Sequence, residues 1–176
     1  MEVPTLATDR LALRGHTVDD FAACAAMWAD PVVTRHIGGR PFTEQETWAK
    51  LLLNLGHWQA LGFGYWVVEE RASGRFVGEI GLANFKRELE PPLGDVPEAG
   101  WVLATWVHGR GFATEALRAV VGWADARWPH TACLIDPGND ASVRVAEKCG
   151  YVQVAPAIYK GQPTIIYERV RRSAVP

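Results

Sequence analysis

The segment His108-Gly109-Arg110-Gly111-Phe112-Ala113-Thr114 lies between a strand-like run and a strongly periodic, helix-like one. Gly109 and Gly111 have no side chain to obstruct a ligand, and the first amides of a helix have no partner inside it. Converging N–H groups and the partial positive charge of a helix N-terminus suit a pyrophosphate. Ala113 and Thr114 extend the amide row, and Arg110 can add a cation or stay an exposed loop charge. Two ligand classes fit this turn. Gly109-x-Gly111-x-x-Thr114 half matches the dinucleotide fingerprint, with Asp136 closing the next strand about 20 residues on. Against a dinucleotide stand the missing third glycine, the short chain and an antiparallel-looking hairpin upstream.

Other reactive side chains are scattered. Cys24, Cys133 and Cys149 are odd in number and widely spaced, and His16, His36, His57, His108 and His130 form no His-x-x-x-His pair. Neither a disulfide framework nor a metal site is expected.

Around the turn the chain alternates. Leu11 to Arg14 reads as a strand, then Thr17 caps a helix running to about Trp28, and Asp30-Pro31 breaks it. Thr43-Glu44-Gln45-Glu46 has the form of a capping box, opening a second helix that ends near Gly62. Gly64 to Glu69 and Phe76 to Leu82 read as a hairpin across Ala72-Ser73-Gly74. Asn84 to Pro97, with Pro91, Pro92, Gly94 and Pro97, reads as a loop. Ala99 to Leu103 is the strand leading to the glycine turn, and the helix after it shows Phe112, Ala113, Ala116, Leu117, Val120, Val121 and Ala124 on one broad face. Thr131 to Ile135 is another strand. Asn139 opens a helix to about Cys149, which Gly150 stops in left-handed fashion. Tyr151 to Ala155 and Thr164 to Val170 form a closing antiparallel pair. This order gives an α/β fold with a mixed sheet.

At 176 residues, one domain over 1–176 is expected. The composition, 48% hydrophobic and 22% charged, is that of a globular chain. A net charge of -2 provides no field for recruiting nucleic acid or an anionic membrane. No segment has the apolar length of a membrane span or the pattern of a leader, so a cytoplasmic protein is expected.

Asn139-Asp140-Ala141-Ser142-Val143-Arg144-Val145-Ala146-Glu147-Lys148-Cys149-Gly150-Tyr151, taken with Gly109 to Ala116, resembles the GNAT superfamily of N-acetyltransferases. Thr8-Asp9-Arg10-Leu11-Ala12-Leu13-Arg14 and Asp30-Pro31-Val32-Val33 look like the start of its RimJ/RimL ribosomal-protein N-terminal acetyltransferase branch. The resemblance runs from about Leu6 to Arg169. It implies a mostly antiparallel central sheet flanked by about four helices and splayed where acetyl-CoA enters. It also implies that residues 108 to 114 hold the pyrophosphate, that the backbone of Val102, Leu103 and Ala104 pairs with pantetheine, and that Asn139 and Ser142 reach the pantetheine arm or thiol. No metal is implied.

An ammonium must lose a proton before attacking a thioester, at a cost near neutral pH of about 1.4 kcal/mol for an α-amine and about 4.6 kcal/mol for a lysine. Glu98, at the head of the cofactor strand, is the first candidate for base, with Glu79 the alternative. Many GNAT enzymes carry a tyrosine acid on the last helix. The corresponding position here is Ala146, so Ser142 becomes the candidate acid. Trp28, Arg35, His36, Arg40, Phe42 and Trp58 surround the expected acceptor side, although most of the eight tryptophans should be core. The expected function is transfer of acetyl from acetyl-CoA to a primary amine, a peptide or protein N-terminus or a small molecule. The alternatives are a non-catalytic acyl-CoA-binding module and, more remotely, a nicotinamide oxidoreductase. The final hairpin offers a surface for a homodimer.

Overall fold

The computed structural model describes residues 2–171. Met1 and residues 172–176, which the single-domain reading includes, lie outside them. The elements run β1 (Leu6–Ala7), β2 (Leu11–Arg14), α1 (Phe21–Trp28), α2 (Pro31–Thr34), α3 (Glu44–Leu61), β3 (Tyr65–Glu70), β4 (Phe76–Ala83) and β5 (Leu89–Glu90). They continue β6 (Glu98–Leu103), α4 (Phe112–Asp125), β7 (His130–Ile135), α5 (Asp140–Lys148), β8 (Val152–Tyr159) and β9 (Gln162–Val170). The nine strands form one sheet ordered β1-β2-β3-β4-β6-β7-β9-β8-β5. Every neighbouring pair is antiparallel except β6 and β7, which are parallel.

Local chemistry explains where the elements begin and end. Thr43 accepts the Glu46 amide while the Glu46 carboxylate takes the Thr43 amide, and Gly62 closes α3 at φ 74°. The first expected helix starts later than Thr17. A single 3-10 turn, Val18–Asp20, comes first, because Asp20 is drawn back to the Thr17 amide and to the Arg14 guanidinium. Asp30-Pro31 both stops α1 and starts α2, with the Asp30 carboxylate accepting the Val32 amide and proline at the first helical turn. The loop over 84–97 contains the two-residue β5, which pairs with β8 and closes that end of the sheet.

The strands' two faces bury different things. Ile80, Leu82, Ala99 and Leu103 join Phe112, Leu117, Val120 and Val121 of α4 in the main core. Trp58, Trp66 and Trp123 meet there edge to face, with ring centroids 4.8 to 5.7 Å apart. Trp48 is different: it is 41% exposed and packs its edge on Phe21. The opposite face is covered by α1, α2 and α3, and there the sheet carries Glu79, Gly81, Glu98 and Gly100. Among the described residues no helix is long and apolar enough to cross a membrane.

Candidate active site

Parallel strands β6 and β7 share one register pair, Glu98 with Ala132, and then part. Beyond it, the β7-facing edge of β6 has no strand partner. Into this fork opens a cavity of about 650 Å³, with Trp101, Val102 and Leu103 of β6 on one side and Asn139, Ser142, Val145 and Lys148 on the other. Its end wall is the glycine turn.

Gly109 and Gly111 stand at φ 75° and 78°, left-handed conformations that glycine adopts without strain. Hydrogen bonding inside α4 starts with the Glu115 amide, donated to Gly111 O at 3.1 Å. The amides of Phe112, Ala113 and Thr114 precede it and remain for an anion. The chain's beginning braces this turn. Arg10 donates to the Arg110 carbonyl at 3.0 Å and to Glu115 at 2.6 Å, and Thr8 also donates to Glu115 at 2.6 Å. Thr8 and Arg10 of the Thr-Asp-Arg motif are thus structural supports of the glycine turn. His108 Nε2 donates to Leu103 O at 2.9 Å, tying the turn to the end of β6. The Ala104 amide is taken by Val77 O, and Arg110 reaches back to Glu70 while lying over the Phe112 ring.

On α5, Asn139 Oδ1 accepts the Ser142 amide, so Asn139 caps the helix and lines the cavity at once. Ala146 is fully buried in the main core rather than facing the cavity, whereas Ser142 lines it. Arg144 and Lys148 line it too and form no ion pair among the described residues.

The cavity's roof was not legible in the sequence. Of the residues expected on the acceptor side, Arg35 and His36 line the same space as the glycine turn and α5, together with Val32, Val33 and Ile37, whereas Trp28, Arg40, Phe42 and Trp58 are not part of its lining. His36 Nδ1 lies 3.0 Å from Asp136 Oδ1, across 100 positions of chain. Asp136 also accepts the Gly138 amide. No local pattern announces a contact of that range.

The two candidate bases sit behind the fork. Glu98 is buried, and Arg87 clamps it through two hydrogen bonds of 2.7 and 2.8 Å. Glu79 is 1% exposed and accepts from His16 at 2.7 Å, Trp28 at 2.6 Å and Asn54 at 2.9 Å. His16, Cys24 and Glu79 are close enough to suggest a cation site. The Glu79 lone pairs, however, are already spent on donors, so the cluster fits a closed hydrogen-bond network.

Burial alone would raise the Glu79 pKa. The His16 hydrogen bond, the His16 and Lys50 charges and the Trp28 hydrogen bond outweigh it and hold the carboxyl below its ordinary value. A depressed carboxylate stabilises the fold fully above its unfolded pKa of about 4.3, and that contribution is lost as pH falls through the lower folded value. Glu79→Gln therefore costs about 3 kcal/mol at neutral pH, and the gap from wild type narrows as pH falls below about 4. Urea unfolding of both proteins between pH 3 and 7 checks this; a gap independent of pH contradicts it.

A family model described as an acetyltransferase (GNAT) domain matches residues 10–152, most of the chain and all of the residues that frame the cavity. The chain belongs to the GNAT acetyltransferase family. It is 33% identical over 169 residues to the Bacillus subtilis protein YkkB, covering 93% of this chain and 94% of that one. The crystal structure of an acetyltransferase from Agrobacterium tumefaciens superposes with TM-score 0.82 at 30% identity, covering 96% of this chain and 95% of that chain. RimL, a ribosomal L7/L12 α-N-protein acetyltransferase solved with coenzyme A, shares the fold at TM-score 0.77 and 14% identity, covering 95% and 98%. As a GNAT domain, the protein is an acetyl-CoA-dependent N-acetyltransferase, and the family works without a metal.

Proposed function

We propose that this GNAT domain transfers acetyl directly from acetyl-CoA to a primary amine within a ternary complex. The fork carries the reading: it is a slot between diverging strands that ends on a row of free helix amides. In this reading the pyrophosphate occupies residues 108 to 114, and pantetheine runs along Val102, Leu103 and Ala104. Asn139 and Ser142 face it from α5. A β6 amide steadies the tetrahedral oxyanion, and the Ser142 hydroxyl donates to the departing thiolate. Glu98, buried and held by Arg87, receives the amine's proton through a water. A covalent acetyl-cysteine has no support. All three thiols are buried, and burial pushes each pKa up, that of Cys149 to about 11.

The test is thiol release from acetyl-CoA with a panel of amines that includes Ala and Ser N-terminal peptides. Ser142→Ala and Glu98→Gln are each expected to lower kcat about 10- to 1,000-fold with acetyl-CoA affinity preserved. Unchanged turnover removes the residue from its role. Acetyl-CoA binding without thiol release from any amine overturns this reading in favour of a non-catalytic acyl-CoA-binding module. The exposed Val152, Val154 and Ile158 of β8 support a homodimer built on the final hairpin, and three free thiols suit a cytoplasmic setting.

A further inference from the structure

The segment 30–42 leaves α1 and comes back to it. The Phe42 amide donates to Trp28 O at 2.9 Å and the two rings stack with centroids 4.6 Å apart, so both ends of this loop are fixed at one place. That base is packed. Val33 is buried with Cys24, Met27 and Trp28, and Ile37, Phe76, Val102 and Ala104 pack against them, which seats the loop on the β6 side of the fork. The Thr105 hydroxyl adds a hydrogen bond to the Asp30 carboxylate at 3.1 Å.

The tip is held differently. From its base the loop crosses the fork as the cavity's roof and meets the far lip at Asp136, the residue that follows β7. His36 Nδ1 donates there to Asp136 Oδ1 at 3.0 Å, and among the described residues this is the only hydrogen bond from the loop to that lip. The two side chains are 30% and 42% exposed, and an exposed pair resists opening weakly. Asp136 Oδ1 also accepts the Gly138 amide, so parting from His36 leaves the 136–138 turn in place. A packed base and a single exposed tether at the tip make a hinged flap.

We propose that the loop 30–42 is a flap over the cofactor slot and that His36 and Asp136 are its latch, which parts to admit acetyl-CoA and parts again to release CoA. This rests on the reading that places acetyl-CoA in the fork. Pantetheine along Val102, Leu103 and Ala104 then lies under a bridge from one lip to the other, so either the bridge lifts or the cofactor threads beneath it. Lifting breaks one exposed contact and pivots on a base that stays packed. Threading would draw the thioester end lengthwise past Val33, His36 and Ile37. Closed, the flap keeps water from the thioester, and its opening governs product release.

Stopped-flow association of acetyl-CoA with the full chain, and its displacement by excess CoA, test this. His36→Ala is expected to raise both the association and the dissociation rate about 2- to 5-fold and to leave Kd within about 2-fold of wild type, since a looser flap eases both directions. A side chain that merely touched the cofactor would change dissociation alone. Locking the latch tests the opposite direction. In the double variant His36→Cys with Asp136→Cys, dibromobimane joins the two introduced thiols, the native Cys24, Cys133 and Cys149 being buried. Joined without cofactor, the protein should associate at least about 10-fold more slowly than when unjoined; joined after loading, it should release acetyl-CoA at least about 10-fold more slowly. Rates unchanged by His36→Ala, dissociation raised with association unchanged, or joined protein that binds as fast as unjoined each overturn the proposal and leave acetyl-CoA in the fork. Failure of the wild type to bind acetyl-CoA sinks that placement, and the flap with it.

Discussion

Gly109→Asp weakens acetyl-CoA binding by about 100-fold or more while changing folding stability by no more than about 1 kcal/mol. A Cβ at position 109 meets nothing within 4 Å, and aspartate tolerates left-handed backbone better than most side chains, so the fold accepts it. In the proposed binding mode, however, its carboxylate stands where the amide row faces a doubly charged pyrophosphate. Two like charges about 4 Å apart repel by about 4 kcal/mol at an effective dielectric of 20, enough for the stated loss. Calorimetric titration alongside urea unfolding measures both quantities. Gly109→Ala isolates the backbone cost, about 1 kcal/mol, from the charge. If aspartate and alanine bind equally well, the cofactor's phosphates lie elsewhere.

Gly81→Ala is expected to remove about 4 kcal/mol of stability or more, lowering the melting temperature by about 10 °C. The added Cβ would fall 2.3 Å from Gly64 O and 2.4 Å from Tyr65 Cα. Both are backbone atoms, so no rotamer change relieves the overlap, and β4 must lift from β3. That shift also moves Tyr65 and the Glu79 network, so activity should fall even in the fraction that folds. A thermal scan within 2 °C of wild type would show that the strands approach less closely than described.

The sequence readings succeeded where the signal was local. Thr43 with Glu46, Gly62, Gly150 and the Asn139 cap each satisfy backbone groups within a few residues, and the structure puts them to those uses. The glycine turn was legible for the same reason, since a positive φ and a helix start are local properties. What stayed hidden depends on which distant strand lies alongside. Position on the strands next to the glycine turn singles out Glu98 and Glu79 as candidate bases. It cannot reveal that Arg87 encloses one and that His16, Trp28 and Asn54 enclose the other. The His36–Asp136 contact and the Arg10 brace each span about a hundred residues, so only the assembled sheet brings them together. Trp48 shows the converse: most of the tryptophans were expected in the core, and α3 turns this one outward.

The single register pair between β6 and β7 makes the sheet two plates sharing a hinge. One plate runs from β1 through β6, the other from β7 to β5. Their opening angle is held from behind: Arg169 on β9 grips Asp125 at the end of α4, a helix that packs against the first plate. The width of the acyl slot is therefore set partly by a clamp remote from any reacting atom. Loosening that clamp is a route by which such a scaffold could come to admit bulkier thioesters while every residue in the slot stayed the same.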